Sequence, residues 1–123
     1  METVDPKYLA TWRNRFAMRD SESRELAARA RTELAGAVEI LRKYGAKRIF
    51  IFGSLCRTGR FHSGSDIDLA VEGIPPQRII RAAADLMMFT DLPIDLKPLE
   101  ELDDLFCDMI NKKGELIYSY WNL

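Results

Sequence analysis

Two aspartates one residue apart, Asp66 and Asp68, lie downstream of an apolar run, Phe50-Ile51-Phe52, that ends at Gly53-Ser54. On an extended strand, residues i and i+2 share a face. Asp66 and Asp68 are therefore expected side by side, with Ile67 and Leu69 turned into the core. Two adjacent carboxylates repel each other, and a divalent cation between them makes the arrangement favourable. Gly53 allows close backbone approach, and the amides that follow it can cradle a phosphate. Asp95 stands alone between Ile94 and Leu96, so its side chain is expected opposite those two. If its strand lies beside the Asp66–Asp68 segment, three carboxylates converge at one end of a sheet. Such a cluster suits Mg²⁺, which keeps waters and takes one or two carboxylates plus phosphate oxygens. With two ions, one activates an attacking oxygen and the other holds a triphosphate and its leaving pyrophosphate. The Gly53-Ser54 amides and the Ser54 hydroxyl would hold the phosphate end, and Arg57 could reach a phosphate oxygen.

The elements that must position these groups follow from periodicity and breakers. Tyr8, Leu9, Trp12 and Phe16 share one face of a helix from Pro6 to about Met18, after which Asp20-Ser21 reads as an N-cap. A second helix, 21–44, carries Leu26, Ala30, Leu34, Ala37, Val38, Leu41 and Tyr44 at three- and four-residue steps, and Gly45 closes it. Lys47 to Phe52 reads as a strand covered on both faces. Residues 54–64 open with a helical turn and end as a loop, and 66–72 form a second strand. Gly73-Ile74-Pro75-Pro76 starts another helix, with Ile79, Ile80, Ala83, Leu86 and Met87 as its buried stripe. Ile94 to Lys97 is a third strand. A last helix is expected from Leu99 to Lys113, with Leu102, Leu105, Phe106, Met109 and Ile110 inward and Gly114 as its stop. Residues 115–120 are β-prone. The predicted fold is α/β: a small mixed central sheet flanked by helices. Residues 1–45 form an N-terminal helical extension of the same domain, and 46–123 form the core.

With 123 residues, the chain supports one core. A net charge of −1 gives no direct indication of nucleic-acid binding. Arg13, Arg15, Arg19, Arg24, Arg29 and Arg31 are a local exception, read as a solvated face or a docking surface for an acidic partner. Cys56 and Cys107 lack metal-type spacing. With no secretion signal and no apolar run of membrane-spanning length, the expectation is a cytoplasmic protein with reduced thiols and no membrane partner. Trp12, Phe16, Tyr118, Tyr120 and Trp121 could tie the termini to the body or form an exposed patch.

Phe52-Gly53-Ser54, Arg57, Ser65-Asp66-Ile67-Asp68-Leu69 and the lone Asp95 together resemble the minimal nucleotidyltransferases of the DNA polymerase β-like superfamily. Gly114-Glu115-Leu116-Ile117-Tyr118 looks like that family's common ending. The resemblance implies Mg²⁺-dependent transfer of NMP from an NTP such as ATP, with Asp66, Asp68 and Asp95 as metal-binding catalytic residues. It places Gly53, Ser54, Arg57 and Ser65 on the phosphates. It also implies partnership with a helical HEPN-type toxin, for which such a protein acts as antitoxin, in some members by adenylylating a toxin tyrosine. Ser54 and Asp66 are separated by eleven residues, one more than is common in the family. Thr58 stands where a glycine usually follows the arginine. The chain is too short to carry its own acceptor-binding domain, so a partner protein, a homodimer mate or a macromolecular acceptor must complete the pocket. Two other readings stand beside transfer to a protein: a non-catalytic module that neutralises a toxin by binding, and a small-molecule nucleotidyltransferase.

Overall fold

The structure of the protein, a computed structural model, describes residues 6–57 and 60–120, with side chains from residue 21 onward. A long helix, α1 (Pro6–Lys43), leads into strand β1 (Arg48–Phe52), and a 3₁₀ turn over Gly53–Cys56 follows. After a loop come β2 (Ile67–Glu72), α2 (Pro76–Phe89) and β3 (Ile94–Pro98). A second 3₁₀ turn, Leu99–Glu101, precedes α3 (Asp104–Lys113) and the edge strand β4 (Glu115–Ser119). The sheet order is β3-β2-β1-β4. β1 pairs antiparallel with β2 and β4, whereas β2 and β3 are parallel. A parallel pair needs a crossover connection, and α2 supplies it. The mixed sheet expected from sequence is therefore present, with β4 as the added edge strand.

Alternation along the strands divides the sheet into two faces. Ile49, Ile51, Ile67, Leu69 and Val71 join Ala30, Leu34, Ala37 and Leu41 of α1 and Ala82 and Leu86 of α2 in the main core. Each fully buried Val, Leu or Ile side chain there contributes roughly 1.5–3 kcal/mol. The other face, carrying Phe50, Phe52 and Ala70, is covered in part by Leu99 and by Ile110 of α3. Gly36 lets α1 and α2 approach closely, because a Cβ there would run into the Phe89 ring. Gly45, at φ +108°, turns the chain from α1 into β1.

Four expectations are corrected. The two N-terminal helices are one continuous helix through Asp20-Ser21. No proline or glycine interrupts residues 7–35, so the cap chemistry of Asp20-Ser21 has no helix break to act on. The stripe of α2 is rotated: Ala82 and Leu86 are buried, while Ile80 and Met87 are mostly exposed. The last helix starts at Asp104, because Asp103 caps it by accepting from the Phe106 amide at 2.8 Å. Leu105 and Met109 consequently face outward, with Ile110 buried. Of the aromatic set, Trp12, Phe16 and Trp121 lie outside the described side chains. Tyr118 lies under the Arg42 guanidinium, and Tyr120 is exposed. Within the arginine series, Arg29 and Arg31 bond to Asp91 and Glu115 on the body. Among the described residues, no helix is long and apolar enough to cross a membrane.

Candidate active site

β1 ends and β2 begins at the same edge of the sheet, and the sequence motifs meet there. Asp68 is the register partner of Phe52 on one side and of Asp95 on the other. Ile67 and Leu69, its neighbours in sequence, are fully buried in the main core, so Asp68 belongs to the opposite face, which α3 only partly covers. Asp95 lies on that same face by its pairing. Asp66 stands just before β2 and is exposed.

Gly53 explains how Asp68 is seated. It sits at φ +72°, a conformation that favours glycine. A Cβ built there would strike Oδ2 of Asp68. The carboxylate thus packs directly on the bare backbone of the turn. Burial holds the Asp68 carboxyl above its ordinary range, and the nearby charges of Asp95 and Asp66 push it further up. Lys97 acts the other way. Its ammonium donates to Oδ2 of Asp95 at 2.9 Å, and that bond raises the lysine's own pKa. Sequence reasoning missed Lys97, although its i+2 spacing from Asp95 placed it on the same strand face.

The phosphate candidates are distributed as follows. Ser54 lies inside the 3₁₀ turn, whose N-cap is Phe52, so it does not cap the turn as a serine at its start would. Arg57 closes the turn with its amide on the Ser54 carbonyl, 3.1 Å away, and its side chain is exposed. Ser65 is engaged in its own loop: its hydroxyl accepts from the His62 amide at 3.0 Å. His62 is exposed in that loop, with Nδ1 2.8 Å from the Ser63 carbonyl oxygen. Thr58 and Gly59 lie outside the described residues. Ser23 of α1 anchors the loop by donating to the Phe61 carbonyl.

Among the described residues, no three acidic, imidazole or thiol groups are gathered tightly enough to hold an ion as they stand, and Asp95 is paired with Lys97. The donor chemistry nevertheless fits a hard divalent cation. Asp68 and Asp95 face each other across adjacent strands, Asp66 is near enough to perturb Asp68, and the donor atoms that these three side chains offer are all oxygens. A cleft of about 300 Å³ opens on the far side of Gly53, lined by Arg57, Met109 and Lys113. A larger one, about 420 Å³, lies at the opposite end of β1 between Arg42, Lys47, Tyr118 and Tyr120. Since that space is remote from all three aspartates, cleft size does not locate the chemistry in this fold.

Residues 37–121 match the family model described as polymerase beta, nucleotidyltransferase. No curated protein matches the chain. Among solved structures, a toxin–antitoxin with AMP-PNP is 25% identical, with a TM-score of 0.58 over 67% of this chain and 69% of that one. A tri-AMPylated HEPN toxin of Shewanella oneidensis in complex with its MNT antitoxin aligns at 20% identity and a TM-score of 0.57, over 72% and 71% of the two chains. A further toxin–antitoxin structure, MntA–HepT, aligns at 20% identity and a TM-score of 0.56 over 72% of each chain.

Proposed function

Because the chain belongs to the polymerase β nucleotidyltransferase family, we propose that it transfers NMP, AMP from ATP in the first instance, onto a hydroxyl of a partner protein. The single observation carrying this reading is the Asp68–Asp95 register pair seated beside the positive-φ turn at Gly53. Asp66, Asp68 and Asp95 would hold Mg²⁺, which when bound supplies charge neutralisation of the triphosphate and Lewis-acid activation.

The remaining chemistry belongs to the chain's own groups. Gly53 seats Asp68 against the turn, and the amides of the turn with the Ser54 hydroxyl hold phosphate oxygens. Arg57 adds a charged donor from the end of the turn. Asp95, released from Lys97, takes the proton of the attacking hydroxyl. That oxygen forms a bond to the α-phosphorus, the bond to the bridging oxygen breaks, and pyrophosphate leaves with the electron pair. Ser65 acts one step back, holding the loop that ends at Asp66.

The acceptor we favour is a tyrosine hydroxyl on a helical HEPN-type toxin. The AMP-PNP-bound toxin–antitoxin relative and the AMPylated toxin with its antitoxin support this choice. Such a partner would also complete a site that the sheet leaves open. Incubation with labelled ATP, Mg²⁺ and the partner is expected to label the partner, and Asp66→Asn with Asp68→Asn is expected to abolish labelling. Label that survives both substitutions rejects the mechanism. One observation favours a second reading, neutralisation by binding alone: Asp95 is already satisfied by Lys97. In that case the double variant labels nothing yet still protects against the toxin.

A further inference from the structure

The carboxylates lie on one side of Gly53 and two cations on the other. Phe52 opposes Asp68 in the sheet, and Phe52 and Gly53 also line the cleft that holds Arg57 and Lys113. Arg57 comes from the end of the 3₁₀ turn and Lys113 from the last residue of α3. Close packing at the next residue fixes where the backbone of Lys113 stands at the end of α3. Gly114, the C-cap of α3, sits so tightly that a Cβ would meet the carbonyl oxygens of both Ile110 and Ile51. The end of α3 is therefore pinned on the last residues of β1. Both cations are exposed, and neither has an ion-pair partner among the described residues. A cleft of about 300 Å³ accommodates two phosphate groups, and unpaired cations on its walls favour a multiply charged anion.

We propose that the cleft between the last turn of α3 and the Gly53–Cys56 turn seats the two terminal phosphates of the nucleotide, with Lys113 as its second cation beside Arg57. The inference rests on the nucleotidyl-transfer reading and adds a residue to it. A nucleotide bound this way lies across Gly53, with its α-phosphate toward Asp68 and its leaving pyrophosphate toward α3. Lys112, the preceding residue, is exposed and does not line the cleft; it serves as the control for charge at the helix end, where a cation also offsets the helix dipole.

The test is calorimetric titration of the full chain with inorganic pyrophosphate and, separately, with AMP, each in the presence of Mg²⁺. Lys113→Met is expected to weaken pyrophosphate binding roughly tenfold and to leave AMP within about twofold. Lys113→Arg restores most of the affinity, and Lys112→Ala matches the wild type. Equal pyrophosphate affinity in wild type and Lys113→Met overturns the assignment. So does a wild type that fails to bind pyrophosphate, or a parallel loss for both ligands. A protein that binds pyrophosphate through Lys113 but labels no acceptor would keep this assignment while the transfer reading fell.

Discussion

Replacing Gly53 with alanine probes the contact on which the site is built. The backbone cost of a non-glycine residue in the left-handed region is about 1–2 kcal/mol. The new Cβ would also collide with Oδ2 and Cγ of Asp68, and driving that side chain off its rotamer adds about 0.5–1.5 kcal/mol. Gly53→Ala should thus lose about 2–3 kcal/mol in urea melts at neutral pH without Mg²⁺. In an Asp68→Ala background the colliding atoms are gone, and the remaining Cβ–Cβ approach of 3.6 Å is ordinary contact. There the same substitution should lose only the backbone part, a coupling of about 1 kcal/mol in the double-mutant cycle. The displaced carboxylate should also diminish any thermal stabilisation that Mg²⁺ gives the wild type. A Gly53→Ala penalty that is the same in both backgrounds, within about 0.5 kcal/mol, refutes the packing argument.

Two further outcomes follow from the site's surroundings. The Asp68 carboxyl is raised above its ordinary value near 3.8, chiefly by burial, so between the unfolded and folded pKa values the native state binds more protons than the unfolded one. Stability from this group therefore falls as pH rises through that window and stays lower at neutral pH. Asp68→Asn should melt higher than wild type at pH 7 without metal and lose its advantage below the ordinary value; a lower melting temperature at pH 7 contradicts the electrostatic reading. Ser23→Ala removes the hydroxyl that donates to the Phe61 carbonyl, at about 1 kcal/mol, and should speed amide exchange over residues 60–65. Unchanged exchange there would mean that α1 does not hold the loop.

The placement of the candidate site residues in the fold was legible in the sequence because its rules are short-range. Period-two alternation put Asp68 opposite Ile67 and Leu69, the run ending at Gly53 marked a sharp turn, and an isolated Asp95 among apolar residues marked the third strand. The faces of α2 and α3 were less legible. Ile80 and Leu105 are as apolar as the residues that are buried, and only tertiary packing decides which side of a doubly apolar helix is covered. The break expected at Asp20-Ser21 failed for a related reason: cap-forming residues stop a helix only where the chain has reason to turn. Lys97 and Lys113 carry no motif. The first could have been found from its spacing to Asp95, whereas the second reaches the site only through the seating of Gly114 on β1.

The parallel pairing of β2 with β3 bears on how faithfully the site can assemble. Asp68 meets Asp95 in the same alignment that pairs Leu69 with Leu96 and Ile67 with Ile94. A slip by one residue would turn Asp95 into the core and expel Ile94 and Leu96 toward water, because strand side chains alternate. The misaligned sheet is therefore penalised by aliphatic exposure and by a buried charge together. The register that covers these aliphatic side chains is thus the one that brings the acidic groups opposite one another.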